Sequence, residues 1–318
     1  MVAEESAGAQ VLEALLTAPE APEVAAVVTT TESEGMRRPL VAAAAARMGL
    51  DVRPTAELRR GSFADSLRDL DVDLLLNVHS LFLIHPDVVS APRIGSFNLH
   101  PGPLPEYAGL NAPSWAIYEG RSVHEATLHW MDPGIDTGAV AYRASFEIEE
   151  TDTGLSLTAK CVRHGVPLVL RLIADAARDP SSIPALEQDL RKRRYFGRDV
   201  PNDGNLEWNA PAREVVRFIR AADYSPFSSP WGAPQAQLGG CPVGILKASV
   251  SDEATDEPPG SIGEALERGA VMVATSDEWI AVRRIQVEDR SVSPSEVCSP
   301  GDRFDLRKRD QGPLKKSS

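Results

Sequence analysis

The segments DLLLNV at residues 73–78 and IGSFNL at residues 94–99 decide the architecture of this chain. Each is an apolar run too short for a stable helix, so each predicts a buried strand. Around them the spacing of apolar residues turns helical, over residues 9–18, 38–49 and 62–70, the last with Ser62 as N-cap. A Val-rich run at residues 23–29 predicts a further strand. Short apolar strands alternating with helices specify a doubly wound, mostly parallel α/β sheet covered on both faces. Ligands of such sheets bind beyond the carboxyl ends of the strands, which directs attention to whatever follows Asn98. The start is irregular. Only Met1, Val2 and Ala3 could pair as a strand before the first helix, so either the first strand is a stub or the natural start lies upstream of Met1, the latter being the favoured expectation.

Farther along, the pattern predicts a helix over Ala112–Glu119, a strand over Glu125–Met131 and a tight turn at Asp132-Pro133-Gly134. A strand over Ala139–Phe146 and a long amphipathic helix over residues 154–177 follow. Residues 181–205, rich in Pro, Asp and Arg, read as a linker between a catalytic domain at 1–180 and a second domain at 206–306. That second domain begins with a helix over Ala212–Ala222. Short strands at 242–249, 271–275 and 279–286, broken by Gly and Pro, then predict a small β-barrel. Gly239-Gly240 reads as a hairpin turn, residues 251–258 as a disordered acidic loop, and residues 307–318 as a disordered basic tail.

The chain of 318 residues carries a formal net charge of −13. Residues 206–318 hold 14 Lys and Arg against 17 Asp and Glu, so neither half offers the clustered cations that phosphate binding needs. Nucleic acid is therefore not an expected partner. No run of eighteen apolar residues exists, and the acids at Glu4 and Glu5 do not fit a secretory leader. Membrane association is not expected. Cys161, Cys241 and Cys298 are too scattered for a disulfide frame or a metal site. A cytoplasmic protein with reduced cysteines and no metal is the expectation.

The densest run of polar and turn-forming residues is 96–111, SFNLHPGPLPEYAGLN. Asn98 and His100 are two apart on a predicted strand, so their side chains share one face. Pro101, Pro103 and Pro105 end the strand and stiffen the loop beyond it. Asp136 follows the turn at Asp132-Pro133-Gly134. If it approaches His100, it would stabilise an imidazolium and set the ring for proton transfer. An amide donor for a developing oxyanion, a proton shuttle and a group that tunes the shuttle together suit acyl transfer to an amine. The chain has no GxSxG elbow and no context for a nucleophilic Cys, so direct transfer is expected.

These residues resemble a known family. Asn98-Leu99-His100, the Pro-rich loop from Pro101 to Gly109 with Tyr107, the helix carrying Trp115 and the turn Asp136-Thr137-Gly138 are similar to the core of the 10-formyltetrahydrofolate-dependent formyltransferases. The resemblance implies a Rossmann-like core with an OB-like carboxyl-terminal barrel, and 10-formyltetrahydrofolate as formyl donor. It implies that Asn98 binds the formyl oxygen, that His100 moves the proton of the attacking amine, and that Asp136 orients His100 and raises its pKa. It also implies that Asp132, Pro133, Gly134 and Ile135 hold the pterin, with Phe82, Leu83 and Ile84 lining the same pocket. Two features depart from the family's usual pattern. Gly102-Pro103-Leu104-Pro105 replaces Ser-Leu-Leu-Pro, and Ala108-Gly109-Leu110-Asn111 lacks the arginines common after the Tyr.

Those departures, with Tyr224-Ser225-Pro226-Phe227 and Pro230-Trp231-Gly232, resemble members that formylate small molecules. The expected acceptor is a small-molecule amine: an aminosugar, an amino-acid derivative or a carrier-protein-bound aminoacyl group. A homodimer is a further implication of the resemblance. Methionyl-tRNA formyltransferase, a formyltetrahydrofolate hydrolase and an inactive binding module are the competing readings. The remaining histidines, His79, His85, His124, His129 and His164, show no metal-ligand spacing and read as structural or exposed, with His129 near the edge of the site. Trp231 and Trp279 read as core or surface of the β module.

Overall fold

The computed structural model describes residues 1–31 and 40–305. The basic tail beyond, and the first two residues of the helix expected at 38–49, lie outside the described residues. The chain divides into two compact units, the first comprising residues 1–113, 122–150 and 156–198, the second residues 114–121, 151–155 and 199–318.

In the first unit, β1 (Val2–Ala3), α1 (Glu5–Thr17), β2 (Val27–Thr29), α2 (Leu40–Arg47), β3 (Val52–Pro54), α3 (Phe63–Asp69) and β4 (Leu74–Val78) alternate. They are followed by α4 (Pro86–Val89), β5 (Gly95–His100), β6 (Ala108–Gly109), α5 (Ala112–Tyr118), whose residues from Ser114 on belong to the second unit, β7 (Val123–Trp130), β8 (Val140–Glu147) and α6 (Gly154–Arg178). The seven-stranded sheet runs β3-β2-β1-β4-β5-β7-β8. Strands β1 to β5 are mutually parallel, β7 runs antiparallel to β5, and β8 runs antiparallel to β7. The two-residue β1 is thus a central strand, and α1 begins at Glu5, four residues before the expected helix. β1 lies where the strand order reverses, which is where open α/β sheets bind ligands.

Apolar side chains on the sheet explain why these strands pair. Leu76, Phe97, Leu99, Ala126, Leu128 and Tyr142 meet Val162, Val169 and Leu172 of α6 in one buried cluster. A second cluster joins Val2, Val28 and Leu75 to Phe63 and Leu67 of α3. Ser62 precedes α3 but its side chain accepts no capping bond, because its backbone is already helical (φ −61°, ψ −19°). The short β3 was not expected. Its Val, Arg and Pro are only half-buried, so it lacks an apolar run of its own and is held by its register against β2.

Residues 181–205 do not hang free. Leu186 bridges Val140, the Trp130 indole donates to the Pro184 carbonyl at 2.8 Å, and β9 (Tyr195–Phe196) pairs parallel with β6.

The second unit holds α7 (Ala212–Ala221) and the antiparallel strands β10 (Gln235–Leu238), β11 (Cys241–Ala254), β12 (Ile262–Ala265), β13 (Val271–Ala274), β14 (Glu278–Val287) and β15 (Arg290–Val292). The sheet order is β10-β11-β14-β13-β12, with β15 on β14. Phe304 bridges Leu238 at one edge and Arg303 bridges Ser261 near the other, so the sheet closes into a barrel-like form. Gly239 and Gly240 turn between β10 and β11 with φ of +56° and +79°, the left-handed pair of a two-residue hairpin. The acidic residues 251–254, expected in a loop, extend β11 instead because Ala254 pairs with Glu278. Trp231 is buried against Trp115 and Phe218. Among the described residues no helix is long and apolar enough to cross a membrane.

Candidate active site

β5 ends at His100 and carries Asn98 one rung earlier. The loop after β7 turns back at Asp136, whose left-handed backbone (φ +56°) is one that Asp tolerates. At Gly138 an added Cβ would collide with the Trp130 carbonyl, so only glycine lets the loop close this tightly. The Asp136 carboxylate is thereby buried beside β5. Oδ2 accepts the Gly109 N–H at 2.8 Å and lies 3.6 Å from His100 Nδ1. Oδ1 accepts the Asn98 amide at 3.3 Å and lies 3.4 Å from His129 Nε2. Asn98, His100 and Asp136, 38 residues apart along the chain at their extremes, therefore meet.

Hydrogen-bond chemistry fixes the rings. A carbonyl only accepts, so His129 Nδ1 donates to the Trp130 carbonyl at 2.7 Å, and in the neutral ring Nε2 accepts the Asn98 amide at 3.1 Å. By the same reasoning His100 Nε2 donates to the Tyr107 carbonyl at 2.7 Å, which leaves the Nδ1 lone pair facing Asp136. The three distances between Asn98 Nδ2, His129 Nε2 and Asp136 Oδ1 close a triangle of roughly 65° at the amide nitrogen, far below the ~120° between its two N–H bonds. One hydrogen thus serves both acceptors, and the second points away from them.

Burial is the largest influence on His100 and lowers its pKa; Asp136 opposes this but does not win, His129 adds to the lowering, and the Tyr107 carbonyl opposes. The resemblance had implied a raised pKa; Asp136 and the Tyr107 carbonyl both act with that sign, and burial outweighs them. Burial would raise Asp136, but the His100 and His129 rings and the Gly109 N–H outweigh it and hold the carboxyl well below the usual range. At neutral pH His100 is a neutral imidazole beside the Asp136 carboxylate.

The neighbouring segments were only partly anticipated. The Asp132 carboxylate closes its own turn, accepting the Gly134 N–H at 3.0 Å and the Thr137 hydroxyl at 2.6 Å. Pro133 lies within that turn, and Ile135 is 44% exposed beyond it. Phe82 and Ile84 pack on the core cluster of α3, while Leu83 is 71% exposed. His124 Nε2 donates to the Pro101 carbonyl at 2.9 Å and His164 stacks on Phe146, both structural. His79, just after β4 with φ +51°, is pushed down to about 4 by burial and by His100.

The sequence reading missed three contributors. Gln188 Nε2 donates to the Asp136 and Gly138 carbonyls at 3.0 and 2.7 Å, and Arg193 donates to the Ile135 carbonyl at 2.9 Å. The segment expected as a linker therefore straps the loop of Asp136, and through β9 it also holds β6, which carries the Gly109 N–H. The third is Asn77, whose Nδ2 donates to Asn98 Oδ1 at 2.9 Å. Asn77 is 6% exposed, and its own Oδ1 is buried with no hydrogen-bond partner among the described residues, which costs about 1–3 kcal/mol. A lone amide in the apolar strand 74–78 was the signal available in the sequence.

Residues 2–173 match the family described as Formyl transferase, and residues 200–299 match Formyl transferase, C-terminal domain. A methionyl-tRNA formyltransferase from Deinococcus radiodurans is 28% identical over 284 residues, covering 86% of this chain and 84% of the relative. The crystal structure of the N-formyltransferase from Helicobacter canadensis, in complex with folinic acid and dTDP-3-aminofucose, superposes with a TM-score of 0.66 at 19% identity, over 88% of this chain and 97% of that one. HypX from Aquifex aeolicus, in complex with tetrahydrofolic acid, gives a TM-score of 0.61 at 19% identity over 79% of this chain and 43% of that one. The chain belongs to the formyl transferase family.

Proposed function

We propose that this formyl transferase moves a formyl group from 10-formyltetrahydrofolate to the primary amine of a small biosynthetic molecule: an aminosugar, an amino-acid derivative or a carrier-bound aminoacyl group. The observation that carries the reading is the convergence of Asn98, His100 and the Gly109 N–H on the single carboxylate of Asp136. The donor set fits the folate. Asn98 keeps one N–H hydrogen for an acyl oxygen, and Leu83 and Ile135 offer exposed apolar surface for a ring system. The folate, when bound, supplies the activated formyl carbon. Asn98 donates to the oxygen that gains negative charge. As the amine nitrogen bonds the formyl carbon, His100 would take its proton at Nδ1, the imidazolium being held between Asp136 and the Tyr107 carbonyl, and would give a proton to the folate nitrogen that leaves when its bond to that carbon breaks. The backbone of 132–135 and Leu83 hold the pterin.

The net charge of −13 and the arginine-free stretch Ala108–Asn111 support a small acceptor. So does the dTDP-3-aminofucose of the Helicobacter complex. The Deinococcus relative supports a second reading, in which the acceptor is methionyl-tRNA. Tetrahydrofolate release, followed optically against nucleotide-linked aminosugars, amino acids and charged initiator tRNA, separates them. Release dependent on a small amine is the expected result. Release with the charged tRNA alone selects the second reading, and formate release without any amine refutes both.

A further inference from the structure

Asn77 of β4, Asn98 of β5 and His129 of β7 are Cα partners across three adjacent strands. Their side chains form a hydrogen-bonded row of one sense: Asn77 donates to Asn98, Asn98 to His129, and His129 to the Trp130 carbonyl. The row is anchored at one end by a carbonyl that can only accept. At the other end Asn77 presents Nδ2 to Asn98 Oδ1, with the Ser80 carbonyl 3.5 Å from the same nitrogen. Reversing the Asn98 amide would set its NH₂ against the Asn77 NH₂, and its oxygen against both the Asp136 carboxylate and the His129 lone pair. The orientation of Asn98 is therefore fixed from both sides.

Asn77 gains little for stability. Its neighbours Leu75, Leu76 and Val78 are buried and apolar, and its own Oδ1 has no partner among the described residues. An apolar residue of similar volume would remove that orphan but take the donor from Asn98 Oδ1, so the two effects oppose each other. We infer that Asn77 is a positioning residue: it holds the Asn98 amide with NH₂ toward Asp136 and one hydrogen free for the substrate oxygen. The inference rests on the formyl-transfer reading, but the orientation it claims is measurable without turnover.

The test uses Asn77→Leu and Asn77→Asp in the full chain. The Asn98 side-chain amide is observed by ¹⁵N NMR, assigned by its loss in Asn98→Asp, and turnover is measured with 10-formyltetrahydrofolate and the amine that supports release. Asn77→Leu is expected to stay folded, to shift the Asn98 amide resonances, and to lose about tenfold in kcat at unchanged KM for the folate. In Asn77→Asp the new carboxylate repels Asn98 Oδ1 at neutral pH and deepens the loss. On acidification the new carboxyl becomes a donor, so activity relative to wild type recovers as pH falls. Unmoved Asn98 resonances overturn the inference, as does a lower melting temperature with unaltered kcat, which would make Asn77 structural. Resonances that shift in Asn77→Leu while the wild type itself turns over no amine would instead count against the formyl-transfer reading alone.

Discussion

Replacing Asp136 by Asn removes one charge from the centre of the site while keeping the side chain's shape. The carboxylate lies 3.6 Å from His100 Nδ1 and takes the Gly109 N–H at 2.8 Å. At an effective dielectric constant of about 20, unit charges at this separation attract by about 4–5 kcal/mol, or roughly three pKa units. Relaxation and solvent reduce that figure, so a fall of at least about one unit in the His100 pKa is expected. The new amide also places a donor against either Gly109 N–H or the Asn98 NH₂, whichever way it turns. We therefore expect Asp136→Asn to fold, to lose about 10²-fold or more in kcat, and to titrate His100 at lower pH. The His100 ring resonance followed by NMR across pH measures this without relying on turnover. An unchanged or higher His100 pKa would refute the electrostatic role assigned to Asp136.

His100→Ala and Asn98→Ala should each lose about 10²-fold or more in turnover with folding intact, read by steady-state kinetics and circular dichroism; near-normal activity removes that residue from the mechanism. Because His100 must be neutral to accept a proton and burial lowers its pKa, kcat/KM should be flat near pH 7 and fall only on the acid side, below 6.5. Gln188→Ala removes two hydrogen bonds from the Asp136 loop, worth about 1 kcal/mol each, and should lower kcat more than it lowers the melting temperature of the whole chain. His79, held down to about 4 against an ordinary 6.5, binds its proton in the unfolded state first, so stability present at pH 7 is lost as pH falls from 6.5 to 4. That loss is about 3 kcal/mol. Denaturant titrations of His79→Gln should show a shallower decline over that range, and an identical slope would sink the assignment.

The strands at 74–78 and 95–100 were legible because each is a short apolar run that nothing but a covered sheet can bury. Asn98 and His100 were legible as a pair because strand period places residues two apart on one face. The turn at 132–134 announced itself through Asp, Pro and Gly. None of these local signals depends on distant residues.

What remained hidden depends on partners that local sequence does not encode. β3 has half-buried residues and exists by pairing with β2. The stretch 184–196 carries no periodicity, so it reads as a linker, yet its amide and guanidinium groups find backbone carbonyls that only the folded loop of Asp136 presents. The row from Asn77 to His129 spans three strands whose side-by-side order is β4-β5-β7, and whose register sets which residues face each other. The sequence by itself determined the parallel sheet, the two chemical residues at its carboxyl edge and the turn that bears the carboxylate, since periodicity and turn chemistry are local. Tertiary structure decided which amide orients Asn98, which segment clamps Asp136 and which way the His100 pKa moves, because register, burial and charge separation arise only when distant strands are brought together.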